Sequence, residues 1–254
     1  MMLLDLSVQN QSEYPSDPDS TLKFCRFLIW HAVVPLFILV FLFIGLESSH
    51  ADVWLSAHFF DPHTQLWPYK DHWLIQKVFH KGGRLFYFAL LGVTLGLFLW
   101  TFKPSSSLRP FHLNLGYLFL ASVCGPLIIL NLKNHTHIYC PWDLQLFNST
   151  RPYIRWLDPV PSGLPVGHCF PAAHAGSGFA FVSLYFFYRS TFPRIKYLGL
   201  GFGLGLGLIY GFTQQMRGAH FLSHDVMSLI ICWFVSLLLY LLMVEKRLFL
   251  KSQA

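Results

Sequence analysis

Six long apolar runs constrain this chain more than any other feature. They lie near residues 24–46, 85–102, 111–132, 171–188, 197–213 and 223–244. A helix of about 20 apolar residues is long enough to cross the hydrocarbon core of a bilayer. No water reaches that core, so a span must satisfy its own backbone hydrogen bonds, which a helix does and a lone strand does not. The runs therefore predict an all-α fold, a six-span integral membrane helical bundle.

Composition supports a membrane protein. The chain has 254 residues, of which 54% are hydrophobic and 12% are charged, whereas soluble domains carry about 25% charged residues. Residues 1–22 are polar and mildly acidic and predict a disordered cytoplasmic tail, followed by one membrane domain over residues 23–254. Without a long basic run the net charge of +6 gives no indication of a nucleic-acid partner. The sequence leaves the oligomeric state open.

The distribution of basic residues predicts the orientation in the membrane. Six spans place both termini on one side, together with the basic turn at 189–196 and the basic residues 246–251. Because cytoplasmic loops are enriched in Lys and Arg, this side is predicted to be cytoplasmic. Lys133, His174 and His220 then share the outer side. We expect a multi-pass protein of a bacterial inner membrane, with its functional site at the periplasmic face.

The fifth run contains a regular series of glycines. Gly199, Gly203, Gly207 and Gly211 recur every four residues. Small residues at this spacing allow membrane helices to approach closely. We therefore expect this face of the fifth helix to pack against a neighbour.

A polar stretch separates the fifth and sixth runs. Between residues 214 and 225 it carries Arg217, His220, His224 and Asp225. Ionisable groups at a membrane boundary are costly and indicate a functional site. An arginine can bind phosphate, and a histidine can act as nucleophile or as acid and base.

Three patches together resemble the type 2 phosphatidic-acid phosphatase superfamily, whose signatures are K-x6-R-P, P-S-G-H and S-R-x5-H-x3-D. The first patch runs from Lys133 to Cys140-Pro141. The second is Pro171-Ala-Ala-His174, and the third extends from residue 213 to 225. The patches match in order, spacing and predicted side.

The first patch departs from the family pattern because Cys140 occupies the position of the family's arginine. Lys133 still provides a point charge for phosphate. Arg151, Arg155 or Arg217 is available to replace the missing guanidinium.

The second patch has Ala172 and Ala173 where the family has serine and glycine. Backbone N–H groups at a helix N-terminus can still bind an anion there. Pro165-Val-Gly-His168 is a competing match, but the sequence after His174 reads as a helix entering the membrane.

The third patch aligns His220 with the family's nucleophilic histidine and places Thr213 and Gln214 where the family has Ser-Arg. The family's acidic residue would fall at His224, whereas Asp225 comes one residue later. Either residue could orient His220, and the sequence does not decide between them.

The resemblance implies hydrolysis of a phosphomonoester or diphosphate of a membrane lipid, without metal or other cofactor. His220 would attack phosphorus, Asp225 or His224 would fix its tautomer, and His174 would protonate the leaving oxygen. Lys133 and Arg217, with the backbone of Ala172 and Ala173, would bind the phosphoryl oxygens.

Three alternatives remain open. One is a phosphotransferase on the same scaffold, and another is a transporter or scaffold protein without catalytic activity. The third is a metal site, because several residues have ligand-like spacings. They are His135, His137, His168, His220, His224 and Asp225.

A disulfide between Cys140 and Cys169 is the last expectation. These are the two cysteines outside the apolar runs, and both lie in the insertion assigned to the outer face. That compartment is oxidising, so a disulfide can persist there.

Overall fold

The computed structural model describes residues 18–245, which form an all-helical bundle. The α-helices are α1 (Pro18–Leu28), α2 (Val34–Ser48), α3 (Ala51–Ala57), α4 (Gly83–Trp100), α5 (His112–Lys133), α6 (Ala173–Phe179), α7 (Ser183–Thr191), α8 (Lys196–Met216) and α9 (Leu222–Tyr240). π-Helical turns join α1 to α2 (Ile29–Val33), lead into α4 (Leu74–Gly82) and continue α9 (Leu241–Glu245). Between residues 18 and 245 no strand forms, and the predicted all-α class is confirmed.

Five helical segments are long and apolar enough to cross a membrane. They are Thr21–Ser48, Leu74–Trp100, Arg109–Lys133, Pro193–Met216 and Leu222–Glu245. The remaining predicted span, at 171–188, consists of α6, a 3-10 turn at Ala180–Val182 and α7. The chain is therefore a multi-pass integral membrane protein.

Two boundaries differ from the sequence expectation. Helix α1 already begins at Pro18, within the predicted tail, and residues 1–17 lie outside the described part of the chain. The second span begins at Leu74, eleven residues before its apolar run, because its first turns carry polar residues. The division into a tail and one membrane domain remains a prediction.

The outer surface of the bundle is apolar, as a lipid-facing surface must be. Phe41 is 81% exposed and Leu198 is 72% exposed. The interior contains large aromatic side chains as well, with Tyr117, Phe179 and Phe186 buried between α5, α6, α7 and α9. This bundle is apolar on both sides, so its surface cannot be distinguished from its core by hydrophobicity alone.

Helix α8 packs closely through glycine against α6 and the 3-10 turn that follows it. A Cβ on Gly203 would lie 2.3 Å from the backbone nitrogen of Val182, and one on Gly178 would lie 2.6 Å from the Cα of Gly207. No real Cβ contact is that short, so these positions require glycine. The contact places the N-terminus of α6 beside the C-terminal half of α8.

The insertion between α5 and α6 covers one end of the bundle. Its backbone contacts the turn after α8, where the Trp142 N–H donates to the Gly218 carbonyl at 2.9 Å. A disulfide joins Cys140 to Cys169 with their Cα atoms 5.3 Å apart, so the predicted pairing is present. Beneath the insertion lie the C-terminal end of α5, the N-terminal ends of α6 and α9, and the turn between α8 and α9.

Candidate active site

His220 lies in the short turn between α8 and α9. Gly218 makes that turn possible, because it has a φ of +71° and a Cβ there would lie 2.4 Å from the Trp67 ring. The N–H of Ala219 donates to the Gln214 carbonyl at 2.9 Å, which closes the turn. The sequence Gly218-Ala219-His220 therefore positions the imidazole directly before the first turn of α9.

The two histidines of this segment are in contact. Nδ1 of His220 lies 3.4 Å from Nδ1 of His224 and 3.5 Å from Sγ of Cys169. His220 is 6% exposed and His224 is 1% exposed. Both of these contacts of His220 involve Nδ1, so Nε2 is the ring nitrogen that they leave unused.

The surroundings of His220 keep its imidazole neutral. Burial lowers its pKa well below the usual value, and the nearby basic side chains, Lys133 first among them, lower it further. A neutral imidazole retains the lone pair that a nucleophile requires. The Lys133 ammonium also provides a positive environment into which an anion can bind.

Asp225 faces away from His220. Its Oδ2 accepts a hydrogen bond from Nε2 of Gln215 at 2.5 Å. A Cβ on Gly211 would lie 2.4 Å from the same oxygen, so the carboxylate occupies the space left by the last glycine of the α8 series. Of the two residues that the sequence left open, the structure therefore places His224 beside His220 and Asp225 against α8.

His174 lies in the first turn of α6. Its ring stacks on Tyr210 with centroids 4.4 Å apart and planes 16° from parallel. Its Nε2 donates to the carbonyl of Phe79 at 3.1 Å, since a carbonyl can only accept. Nδ1 is then the position from which a proton can be delivered. Gly83 permits this packing, because a Cβ there would lie 3.2 Å from Cε1 of His174.

Two cations lie close to these histidines. Lys133 is the last residue of α5 and acts electrostatically on both His220 and His80. Arg217 donates through Nε to the Lys70 carbonyl at 2.8 Å and through a terminal nitrogen to Oε1 of Gln214 at 3.0 Å. Neither cation forms an ion pair within residues 18–245. Both charges are therefore available to an anion.

The other arginines considered as replacements at Cys140 are engaged elsewhere. Arg155 pairs with Asp158 at 3.0 Å near the surface. The guanidinium of Arg151 lies 5.3 Å from the centroid of the Tyr139 ring. Of the three, Arg217 is the one that interacts with the histidine cluster, because it acts electrostatically on His174.

The remaining predicted residues, Ala172, Ala173 and His168, have different environments. The Ala172 N–H donates to the His224 carbonyl at 3.3 Å, so that group is not available to bind phosphate. Ala173 begins α6, and its role in binding phosphate stays a prediction. His168 is exposed and contacts Asn134 at 3.2 Å, away from the buried histidines.

Sequence reasoning assigned no role to three residues near the site. His80 lies with its ring centroid 4.9 Å from that of His174, and its Nδ1 is buried without a partner in the described structure. Gln214 is 2% exposed and its Nε2 is likewise buried and unpaired. The carboxylate of Asp52 on α3 accepts from the N–H of Ser223 at 3.1 Å and thereby caps α9. An unpaired buried amide is the signal for Gln214, but it is visible only in three dimensions.

A metal site would have to use a different set of ligands from the one the sequence suggested. Within the described residues, the group with ligand atoms close enough is Cys169, His220 and His224, whose atoms lie within 4.8 Å of one another. Cys169 is in a disulfide, so it offers no thiolate. His135 instead contacts the Asn131 carbonyl at 2.8 Å.

Taken together, the fold and site define a helical integral membrane protein with buried neutral histidines surrounded by unpaired cations. The family model of the PAP2 superfamily matches residues 111–248. This match covers more than half of the chain and includes all three sequence patches, and the chain belongs to the PAP2 superfamily. A search of curated proteins and a search of solved structures each returned no match.

Membership defines the activity at a coarse level. Members of this superfamily are generally phosphatases, which supports phosphatase-type activity on a phosphorylated substrate for this chain. The matched region begins one residue before α5 and extends past α9, so it contains Lys133, His174, Arg217, His220 and His224.

Proposed function

We propose that this protein is a metal-independent lipid phosphatase that works through a phosphohistidine on His220. One observation supports this most strongly. His220 is buried, and the electrostatic influences on it come from Lys133, His224 and His174, all of them basic residues. A site of this kind attracts a phosphoryl group and leaves the nucleophile unprotonated.

The first step is attack on phosphorus. With its proton on Nδ1 and donated to Nδ1 of His224, His220 carries a lone pair on Nε2. That lone pair forms the N–P bond while the bond between phosphorus and the leaving oxygen breaks. His224 orients the ring and stabilises the proton on Nδ1 as positive charge develops on the imidazole.

Departure of the leaving group requires a proton. The negative charge of the bound phosphate favours the imidazolium form of His174. That imidazolium delivers its Nδ1 proton to the leaving oxygen and becomes neutral, while its Nε2–H remains bonded to the Phe79 carbonyl. Water then attacks the phosphohistidine, and His174 takes up a proton from that water. The N–P bond breaks, free phosphate leaves, and His220 is regenerated.

Charge stabilisation comes from Lys133 and Arg217. Phosphoryl transfer depends mainly on positioning and on neutralising the equatorial oxygens. Arg217 is fixed by the Lys70 carbonyl and Gln214, so its remaining N–H groups have a defined direction. We assign to it the role of the arginine that Cys140 replaces.

The lipid character of the substrate follows from the position of the site. The histidines lie at the ends of the candidate spans, under the insertion and within an apolar bundle. A phosphorylated headgroup at the membrane boundary reaches such a site while its chains remain in hydrocarbon. The orientation predicted from the basic residues places this boundary at the outer leaflet.

The test is phosphate release by the purified protein from a panel of phosphorylated lipids, with and without a chelator. The panel contains phosphatidic acid, phosphatidylglycerol phosphate, a lipid A phosphate and a polyprenyl diphosphate. We expect release from at least one lipid, unaffected by EDTA and absent in His220→Ala. Loss of activity in EDTA with recovery in zinc would instead support a metal enzyme.

A further inference from the structure

A groove opens between α2 and α9 on the side of the bundle next to the active site. It has a volume of about 360 Å³. Its walls are mainly apolar and come from α2, α9 and a loop of the insertion. The wall residues that matter here are Val40, Phe43, Ile44, Trp156, Met227 and Ile230.

The upper rim of the groove is polar. Oε2 of Glu47 accepts a hydrogen bond from the Trp156 N–H at 2.8 Å. Arg155 pairs with Asp158 at 3.0 Å and also reaches the Glu47 carbonyl at 3.4 Å. These contacts fix the loop to the end of α2. The groove therefore has a charged entrance and an apolar interior.

The groove lies close to His224. Phe170 lies between the two, with its ring centroid 6.0 Å from that of Phe43 and 5.2 Å from that of His224. One aromatic layer thus separates the groove from the active site. From Ser48 to Val40 the groove follows nine residues of α2, and the eight steps between them rise about 12 Å along the helix.

We propose that this groove binds a hydrocarbon chain of the lipid whose phosphate is hydrolysed at His220, an inference that rests on the proposed function. Both of its helices belong to candidate spans, Thr21–Ser48 and Leu222–Glu245. A hollow on the flank of such spans faces hydrocarbon, and an apolar site of this shape suits a chain. The charged rim remains at the depth of the headgroup.

The groove acts by positioning the lipid relative to His220. In a bilayer, a chain that enters it exchanges one apolar environment for another, so little affinity arises from burial alone. A chain placed along α2 sets the depth and lateral position of its own headgroup. The phosphate is thereby presented at the level of His220, and positioning of this kind lowers the barrier to reaction.

The experiment fills the groove and varies the chain. Ile44→Trp places an indole in the groove, and Phe41→Trp is the matched control, because Phe41 is 81% exposed on the same helix and is not part of the wall. The substrates are dioleoyl phosphatidic acid, dihexanoyl phosphatidic acid and p-nitrophenyl phosphate, which has no chain. We expect Ile44→Trp to lower kcat/KM for the dioleoyl lipid by about tenfold, because the chain no longer positions the phosphate at His220. We expect it to leave kcat/KM for p-nitrophenyl phosphate within about twofold of wild type, and Phe41→Trp to behave as wild type throughout.

Several results would overturn the inference. Equal changes in kcat/KM for all three substrates, or no change for any of them, would mean that the groove does not bind the chain. Loss of a dimer in Ile44→Trp with unchanged kinetics would assign the groove to a second copy of the protein. Hydrolysis of p-nitrophenyl phosphate but of neither lipid would leave phosphatase activity standing and refute the chain site for this lipid class. No turnover of any substrate by wild type would refute the proposed function as well.

Two further measurements test the inference if Ile44→Trp does not fold. Met227→Trp fills the groove from the α9 side and is expected to reproduce the same pattern. If both variants fail to fold, wild-type protein is labelled with phosphatidic acid that carries a photoreactive acyl chain. Adducts on Val40, Ile44 or Met227 would support the site, and adducts confined to other spans would overturn it.

Discussion

At the scale of single residues, the site depends on which charges are buried together. His220 is surrounded by Lys133, His174 and His224, whereas Asp225 is directed to Gln215 on α8. A carboxylate beside His220 would favour the protonated ring. In the proposed mechanism, His224 in that place orients the His220 ring without adding a negative charge.

Asp52 is the buried carboxylate that supports this arrangement from α3. Burial raises its pKa to about 6, and the N–H of Ser223 partly offsets this. A raised pKa means that the folded state binds the proton more tightly than the unfolded state does. Asp52 therefore favours folding below about pH 3.8, and that contribution is lost as pH rises to about 6.

The corresponding prediction concerns Asp52→Asn, which removes the titration and retains the acceptor for Ser223. We expect the variant to have a Tm close to that of wild type near pH 4 and a higher one above pH 6. Thermal unfolding in detergent between pH 4 and pH 8 measures the difference. A difference that does not change with pH would show that Asp52 does not titrate in this range.

At the scale of helices, the glycines of α8 fall into two classes. A Cβ added to Gly203 would lie 2.3 Å from the backbone nitrogen of Val182, whereas a Cβ on Gly201 or Gly205 would contact nothing within 4 Å. Alanine is otherwise favoured over glycine in a helix by about 1 kcal/mol. Substitution by alanine should therefore change the free energy of unfolding in opposite directions for the two classes.

We predict that Gly203→Ala lowers the free energy of unfolding by about 1–3 kcal/mol, as overpacking generally does. Gly201→Ala, one half-turn away, should be neutral or stabilising by up to about 1 kcal/mol. Detergent or denaturant titration of the two variants beside wild type makes the comparison. Equal destabilisation by both would mean that packing against α6 and α7 does not select glycine.

The insertion is held by the disulfide between Cys140 and Cys169. The two residues are 29 apart in sequence, and closing a loop of that size stabilises a fold by roughly 3–4 kcal/mol in the chain-entropy model. We predict that the double variant Cys140→Ala, Cys169→Ala has a free energy of unfolding lower by that amount and therefore a lower Tm. We also expect its kcat to fall. Cys25→Ala is the control, because Cys25 is an exposed free thiol. Full alkylation of Cys140 and Cys169 in non-reduced wild type would contradict the pairing.

At the scale of the whole molecule, the sequence predicted what hydrophobicity and motif order determine. It gave the apolar runs, the convergence of Lys133, His174 and His220 at one end, and the disulfide that joins the insertion. It could not determine contacts made across long separations. Asp52 caps α9 from 171 residues away, and His80 reaches His174 from a segment whose polar residues hid its continuity with the second span. The choice between His224 and Asp225 depended on the rotation of α9, which a spacing of one residue does not define.

The positive-inside rule predicts the orientation of the whole molecule in the membrane. Reporter fusions at Ser162 should give an outer-side signal, and fusions at Thr191 or after Ala254 a cytoplasmic one. The reason is the basic turn at 189–196, which is retained on the cytoplasmic side. A cytoplasmic signal at Ser162 would place the site at the inner leaflet.

The central claim is that His220 carries the phosphoryl group during turnover. The most direct measurement is to trap that intermediate by rapid quenching of the purified enzyme with a ³²P-labelled lipid substrate in the presence of EDTA. We predict label on the protein that survives alkali, is released by acid and maps to His220, as expected for a phosphoramidate. It should be absent in His220→Ala and form more slowly in His174→Ala. Turnover without labelled protein, or label that maps to His224 and persists in His220→Ala, would contradict this account.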